Sequence, residues 1–374
     1  MSKYKNLFPM LAAVLFLTAM ASQAFAADVI KLGVAGAHSG DLASYGLPTL
    51  KAAQLVVKDI NAAGGINGKM IEIVSADDAC KPELATNAAT KLVSDGVKAV
   101  IGHICSGPTK AALPIYRDAK IPVISPSATT PDLTQGGEYP NFFRTIASDD
   151  LQAKTEVDFA IDTLHAKKIA ILHDKSDYGK GLAEFAKQLI EKSGKAEVLL
   201  FEGITPGAVD YSAVVQKIKR SQAEVVIFGG YHPEASKIVG QMRQKKLTTV
   251  FVSDDGAKDP TFIKVAGKNA EGAFVTGPAD VSKNPITVEY REKFKQAEGA
   301  EPGAFFDNGV AATLAITNAL AKSPSMDFDS IVNVLHSQKV ATPFGEIKFA
   351  ANGEPEGIGF SMYEVKNGEF VQVR

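Results

Sequence analysis

Only two cysteines, Cys80 and Cys105, occur in 374 residues. Two thiols build no disulfide-dense scaffold, and they do not by themselves close a four-ligand zinc site. A basic excess is missing as well, since 40 Lys and Arg stand against 42 Asp and Glu for a formal net charge of −2. Without it the chain has no overall field to displace phosphate counterions, which argues against nucleic acid as a partner. Long apolar runs are missing beyond the start of the chain. The one at the start, Leu7 to Met20, is shorter than the ~20 residues of a membrane-spanning helix.

That first run has another reading. Lys3 and Lys5 precede it and Ala24-Phe25-Ala26 follows with the small-x-small pattern of a cleavage site, so residues 1–26 read as an export signal cut near Ala26. No cysteine stands near the cut, which excludes a lipid anchor on a new N-terminal cysteine. The segment carries two lysines and no acid, so the mature chain is a slightly more acidic, exported protein. With 45% hydrophobic and 22% charged residues, it has the apolar material for one or two packed domains.

Beyond the signal, short apolar runs alternate with helical patterns, the mark of parallel β-α units. Strands are expected at Val29 to Ala35, Met70 to Val74, Lys98 to Ile101 and Pro122 to Ile124, with helices at Thr49 to Ala63, Pro82 to Asp95 and Thr109 to Ala119. The rhythm restarts after Asp149, with strands at Lys168 to His173, Glu197 to Phe201, Glu224 to Phe228 and Thr249 to Val252. Two doubly wound α/β lobes are implied. Helices at Thr287 to Glu298 and Phe305 to Ala321 follow, and glycine-punctuated strands close the chain.

Several residue groups invite chemistry. Gly64 to Lys69 suggests a phosphate loop, but the spacing is one residue short and Met70 stands where a magnesium-binding hydroxyl belongs. A helix stop and a turn account for these glycines. Asp78, Cys80, His103 and Cys105 are zinc-ligand types. Export favours oxidation, so a Cys80–Cys105 disulfide is expected and no metal. Such a bridge ties the loop after one strand to the loop after its neighbour, at the carboxyl edge where open α/β sheets bind ligands. It also removes Cys105 as a nucleophile, and no Gly-x-Ser-x-Gly elbow is present, so the chain is not expected to be an enzyme.

On the same edge Ser106 and the run Ser125 to Thr130 offer hydroxyls and free amides, which serve either as a cradle for a small carboxylate or as ordinary helix caps. In the second lobe Tyr178, Tyr231 and Asp255 stand just past strand ends. Aromatic walls with one carboxylate suit an ammonium group; equally, they are lobe surface and a turn.

Taken in order, these residues resemble the periplasmic branched-chain amino-acid binding proteins that feed ATP-driven importers. The resemblance spans the mature chain. It is carried by Gly36 to Gly40, Tyr45-Gly46, Asp59 to Ile66, Asp77 to Cys80, Val100 to Ser106, Pro126 to Thr129, His173 to Gly179 and Gly229 to Glu234. It implies a type I periplasmic binding protein: two Rossmann-like lobes joined by a three-strand hinge, residues 28–147 with 279–355 and residues 148–278 with 356–374. It further implies a monomer without cofactor that closes on an amino acid, leucine, isoleucine or valine, and passes it to a membrane permease of an ABC importer. A different small ligand in the same fold, or service to a chemoreceptor, are the alternatives.

The family's carboxylate contacts fall on Ser106 and Thr129, with Cys105, Ser127 and Ala128 beside them. Its aromatic and apolar contacts fall on Tyr45, Ile104, Tyr178, Tyr231 and Phe305, and its acidic ammonium partner on Asp255 beside Gly256. Two departures stand out. Asp255 replaces the usual Glu and is one methylene shorter, so the lobes close further or a water bridges. Asp307, in Phe305 to Gly309, makes the ligand side chain a donor or cation if it faces the cleft, and changes nothing if it caps a helix.

Overall fold

A computed structural model describes residues 29–374, so the expected export signal lies outside the described residues. A parallel sheet opens the chain, built from β1 (Ile30–Gly36), β2 (Ile71–Asp77), β3 (Ala99–Ile101), β4 (Val123–Ser125) and β5 (Phe142–Arg144) in the order β2-β1-β3-β4-β5. Its connections are α1 (Ala43–Ala62), α2 (Pro82–Ser94), α3 (Ser106–Asp118) and the single turn α4 (Asp132–Gln135). Period-two alternation decides which side each residue serves. Leu32, Val34, Ile101, Ile124 and Phe143 bury on one face, and Ala35, Val100, Val123 and Phe142 on the other, against Leu92 of α2 and Leu113 and Tyr116 of α3.

The chain then moves to a second sheet through α5 (Asp149–Asp158), prolonged by the wider turn Phe159–Thr163. There β6 (Lys168–His173), β7 (Glu197–Gly203), β8 (Val225–Gly229), β9 (Val250–Ser253) and β10 (Phe274–Pro278) are parallel, with α6 (Asp177–Ser193), α7 (Ser212–Ser221), α8 (His232–Gln244) and α9 (Pro260–Ala266) between them. From β10 the chain returns to the first sheet. There α10 (Pro285–Glu298) packs on α1, and α11 (Phe306–Lys322), α12 (Phe328–Ser337) and the hairpin β11 (Val340–Thr342) with β12 (Gly345–Ile347) complete the layer over Ile30 and Leu32. It crosses once more to add β13 (Phe360–Lys366) and β14 (Glu369–Gln372) antiparallel to the second sheet, whose order is β14-β13-β10-β9-β8-β6-β7. Among the described residues no helix is long and apolar enough to cross a membrane.

Both sheets therefore reverse their winding beside their first strand, β1 or β6, and the loops at those switch points face one another. Tyr45 at the start of α1 donates its hydroxyl to the Gly256 carbonyl beyond β9, and Ser44 Oγ lies 3.2 Å from His232 Nε2 at the start of α8. These contacts bring the two carboxyl edges together.

Four sequence expectations need correction. Helix α1 starts at Ala43, six residues before the expected Thr49, because Pro48 sits inside it and interrupts only one backbone hydrogen bond. Helix α3 starts at Ser106, not Thr109, with Cys105 as its extended cap, so Ser106 and Gly107 form its first turn. The three-residue β5, together with β10, α9 and α12, was not anticipated from the pattern. The disulfide does form between Cys80 and Cys105, with Cα atoms 5.7 Å apart, but the strands before them are not neighbours. The doubly wound order places β1 between β2 and β3, so the bridge arches over the end of β1.

A closed loop of 25 residues gives the bridge roughly 3.5 kcal/mol by unfolded-chain entropy. Thiol labelling of the native protein is expected to find no free thiol, and reduction to lower Tm by about 5 °C. Full labelling without reductant would contradict the pairing.

Candidate functional site

The first wall of the site comes from the ends of β3 and β4. Ser106 opens α3, and its buried Oγ accepts the Thr129 and Thr130 amides at 3.2 and 3.3 Å. Ser125 Oγ donates to the His103 carbonyl at 2.6 Å and accepts the Ala128 amide at 2.9 Å, while Ser127 Oγ donates to the Ile104 carbonyl at 2.7 Å. Most of these hydroxyls thus fold the loop. Thr129 Oγ1 is the exception: it is buried beside the Asp149 carboxyl, which its hydroxyl holds down against the effect of burial. Together with the positive end of α3, this wall suits a small anion.

His103 supports the same loop from behind and has no capacity left for a metal. Its Nδ1 lies 2.6 Å from Asp78 Oδ2 and its Nε2 3.0 Å from the Tyr116 hydroxyl, with all three side chains buried. The Cys80 amide donates to Asp78 Oδ1 at 2.7 Å, which couples this network to the disulfide loop.

The opposite wall belongs to the second sheet. Asp255 follows β9, and its Oδ1 accepts the Tyr178 hydroxyl at 2.5 Å and the Gln152 side-chain amide at 3.0 Å. Its Oδ2 is buried and without a partner among the described residues. Burial pushes the Asp255 carboxyl up, and the bonds from Tyr178 and Gln152 oppose that rise. Burial and the nearby carboxyls Asp254 and Asp255 keep Tyr178 protonated far above its usual range, so it acts as a donor. Gly256 is required beside it, because a Cβ there would stand 2.5 Å from the Gly230 carbonyl oxygen and 3.0 Å from the Tyr178 ring.

Aromatic rings close the remaining sides. Tyr45 meets Phe305 with centroids 5.5 Å apart and Tyr231 at 6.1 Å, and Tyr231 meets Tyr178 at 5.2 Å. Phe305 holds a left-handed backbone, φ 61°, at the cap of α11, a conformation that costs a bulky residue about 1–3 kcal/mol and turns its ring toward Tyr45. The space between them is nearly closed, with a cavity volume of about 10 Å³, and is lined by Tyr45, Ile104, Cys105, Ser106, Ser127, Tyr178, Tyr231, Asp255, Gly256 and Phe305. Ala128 and Thr129, also singled out in the sequence, lie buried in the Ser106 wall just behind that lining.

Asp307 does not line this cavity. It begins α11 and is gripped by Arg291, with Nη2 to Oδ2 at 2.5 Å and Nε to Oδ1 at 3.2 Å. The pair lines a separate crevice of about 450 Å³ on the side of the chain crossings, which touches the cavity only through Asp255 and Phe305. In the same crevice the Lys258 ammonium lies 4.2 Å from the Tyr363 ring centroid, and burial lowers its pKa to about 8.

Sequence reasoning overlooked what lies beneath Asp255. Gln152 and Glu156 are one turn apart on α5 and both reach Thr276 of β10, at 2.8 and 3.0 Å, and the fully buried Asp149 opens the same helix. A helix whose buried face carries Asp149, Gln152 and Glu156 among Ala153 and Val157 was the available signal. Burial lifts the Asp149 carboxyl to about 8, and the Asp255 charge adds to the rise. It lifts Glu156 and Asp254 in the same direction.

The chain matches the periplasmic binding protein family over residues 29–369, and it belongs to that family. It is 35% identical over 352 residues to the leucine-, isoleucine-, valine-, threonine- and alanine-binding protein of Pseudomonas aeruginosa, covering 94% of both chains. It is 37% identical to the Leu/Ile/Val-binding protein of Escherichia coli K12, covering 92% of this chain and 93% of that one. Among solved structures, the branched-chain amino acid transporter substrate-binding protein LivJ of Streptococcus pneumoniae in complex with isoleucine superposes with a TM-score of 0.82 at 29% identity, covering 92% of this chain and all of that one. The leucine-binding protein LivK of Thermotoga maritima gives 0.85 at 25% identity, covering 92% and 98%.

A carboxyl whose pKa is raised on folding stabilises the native state most at low pH, and that contribution fades as pH rises toward the folded value. For Asp149 the window runs from its ordinary value near 3.8 to about 8. The Tm of the ligand-free protein is therefore expected to fall between pH 5 and pH 8, and Asp149→Asn to raise Tm at pH 8 and flatten the slope. A variant with the wild-type slope would contradict the buried acid.

Proposed function

We propose that this protein is exported to the periplasm after cleavage near Ala26, captures a free amino acid between two lobes, and hands it to the permease of an ABC importer. The lobes comprise residues 28–147 with 279–355 and residues 148–278 with 356–374, and they close as a hinged clamp. The observation that carries the reading is the polarity of one small cavity: the Ser106 hydroxyl and the start of α3 at one end, with Thr129 just behind them, and Asp255 Oδ2, without a partner among the described residues, at the other. A zwitterion satisfies both ends, its carboxylate against Ser106 and Thr129 and its ammonium against Asp255. The remaining wall of Tyr45, Ile104, Tyr231 and Phe305 is apolar, which selects leucine, isoleucine or valine as side chain. The relatives named for these amino acids support the same choice.

Cys105 is consumed by its disulfide, and the protein works as a monomeric binder without cofactor rather than as an enzyme. A second reading is favoured by the adjoining crevice, where Lys258 carries no ion pair among the described residues. A polar amino acid whose side chain passes Phe305 would meet that ammonium, and the complex would serve transport or a chemoreceptor.

Micromolar binding corresponds to about 8 kcal/mol. A thermal-shift screen of the twenty amino acids is expected to raise Tm for leucine, isoleucine and valine, since ligand at a hundred times Kd adds about 2.7 kcal/mol. By calorimetry Asp255→Ala is expected to abolish leucine binding while the variant keeps a cooperative unfolding transition. Unchanged affinity would remove Asp255 from the site, and silence toward all twenty would reject the zwitterion reading.

A further inference from the structure

A fully buried arginine connects the last chain crossing to the anion wall. Arg144 ends β5 and spends its guanidinium in two directions. Toward the crossing between β12 and β13, Nε donates to Glu354 Oε2 at 3.0 Å and Nη2 to Glu354 Oε1, and Nη2 also donates to Thr134 Oγ1 at 2.9 Å. Toward the site, Nη1 donates to the carbonyls of Ala128 and Thr130 at 3.2 and 3.1 Å. Those carbonyls flank Thr129. The Ala128–Thr129 peptide thus offers its oxygen to Arg144 and its N–H to Ser106 Oγ.

The Glu354 end is anchored just as tightly. Gly353, at φ +85°, takes a left-handed backbone where a Cβ would stand 2.1 Å from the Phe142 carbonyl oxygen, and its own carbonyl accepts the Arg144 amide at 3.3 Å. The crossing therefore lies directly on β5. A Glu354 side chain that keeps 20% of its surface exposed sits where the chain leaves for the second sheet.

We propose that Glu354 is a positioning residue for ligand binding: through Arg144 it holds the Ala128–Thr130 loop in the geometry that receives the carboxylate, and so links the third crossing to occupancy of the cavity. The inference rests on the amino-acid reading above. The linkage is electrostatic as well as geometric. Glu354 neutralises a guanidinium that would otherwise be buried alone, and the guanidinium fixes two carbonyl dipoles that point away from the incoming carboxylate.

The test begins without ligand. Glu354→Gln keeps the shape and one acceptor but removes the charge, and amide hydrogen exchange reads the loop directly. The Thr129 and Thr130 amides, bonded only to Ser106 Oγ, are expected to exchange at least tenfold faster in the variant, with β6 and β8 unchanged. Glu354→Asp is expected to recover part of the protection. With leucine as probe, Glu354→Gln is expected to weaken affinity about tenfold. In a cycle with Ser106→Ala, the double variant should lose clearly less than the product of the two single losses. Unchanged exchange at Thr129 and Thr130, or equal acceleration across both sheets, overturns the proposal, as does an affinity equal to wild type. If Glu354→Gln does not fold, Thr134→Val removes one link of the same network and is read by the same exchange measurement. Wild type that binds no leucine counts against the amino-acid reading, while the exchange result still decides the role of Glu354.

Discussion

The structure turns on one carboxylate that the fold leaves half satisfied. Asp255 is held at Oδ1 by Tyr178 and Gln152, yet Oδ2 is buried with no partner among the described residues. A buried charge of this kind is costly unless a cation or donor meets it, and water is largely shut out where the two carboxyl edges touch. Beneath it, burial pushes Asp149, Glu156 and Asp254 upward as it does Asp255, and of these four carboxyls Asp255 is the one that lines the cavity. Asp255 is aimed by the two donors behind it, and beside it Tyr45 donates to the Gly256 carbonyl.

The edge proposed to receive the carboxylate follows a different rule. There the fold supplies dipoles and hydroxyls, and Arg144, paired with Glu354, lies one layer back. Serine and threonine at the ends of β3 and β4 do double duty, since Ser125 and Ser127 shape the loop that sets Thr129 beside Ser106. The disulfide over β1 and the Asp78–His103–Tyr116 chain stiffen this edge. A rigid edge facing an electrostatically strained one is a sound arrangement for a clamp, because ordering is done before the ligand arrives.

Much of this was legible in the amino-acid order. The β-α rhythm located both lobes, and every cavity-lining residue but Phe305, which begins an expected helix, stood just past an expected strand or in a motif of the family resemblance. What escaped notice has physical causes. Strands such as β5 and β10 are short or lie at chain crossings, where flanking contacts rather than alternation define them. Pro48 hid the first turns of α1. The span of the disulfide depends on strand order, which local pattern does not encode, and Gln152, Arg144 and Glu354 act through partners more than a hundred residues away in sequence or two elements apart in space. Asp307 drew attention as a departure in the sequence, but Arg291 binds it outside the cavity.

The central claim is that one zwitterion bridges the two edges. A crystal structure grown with leucine tests it most directly. The account predicts the carboxylate within hydrogen-bond distance of Ser106 Oγ and Thr129, the ammonium on Asp255 Oδ2, and the side chain among Tyr45, Ile104 and Phe305. Density for leucine in the Lys258 crevice, or in the cavity with its ammonium turned away from Asp255, would contradict it.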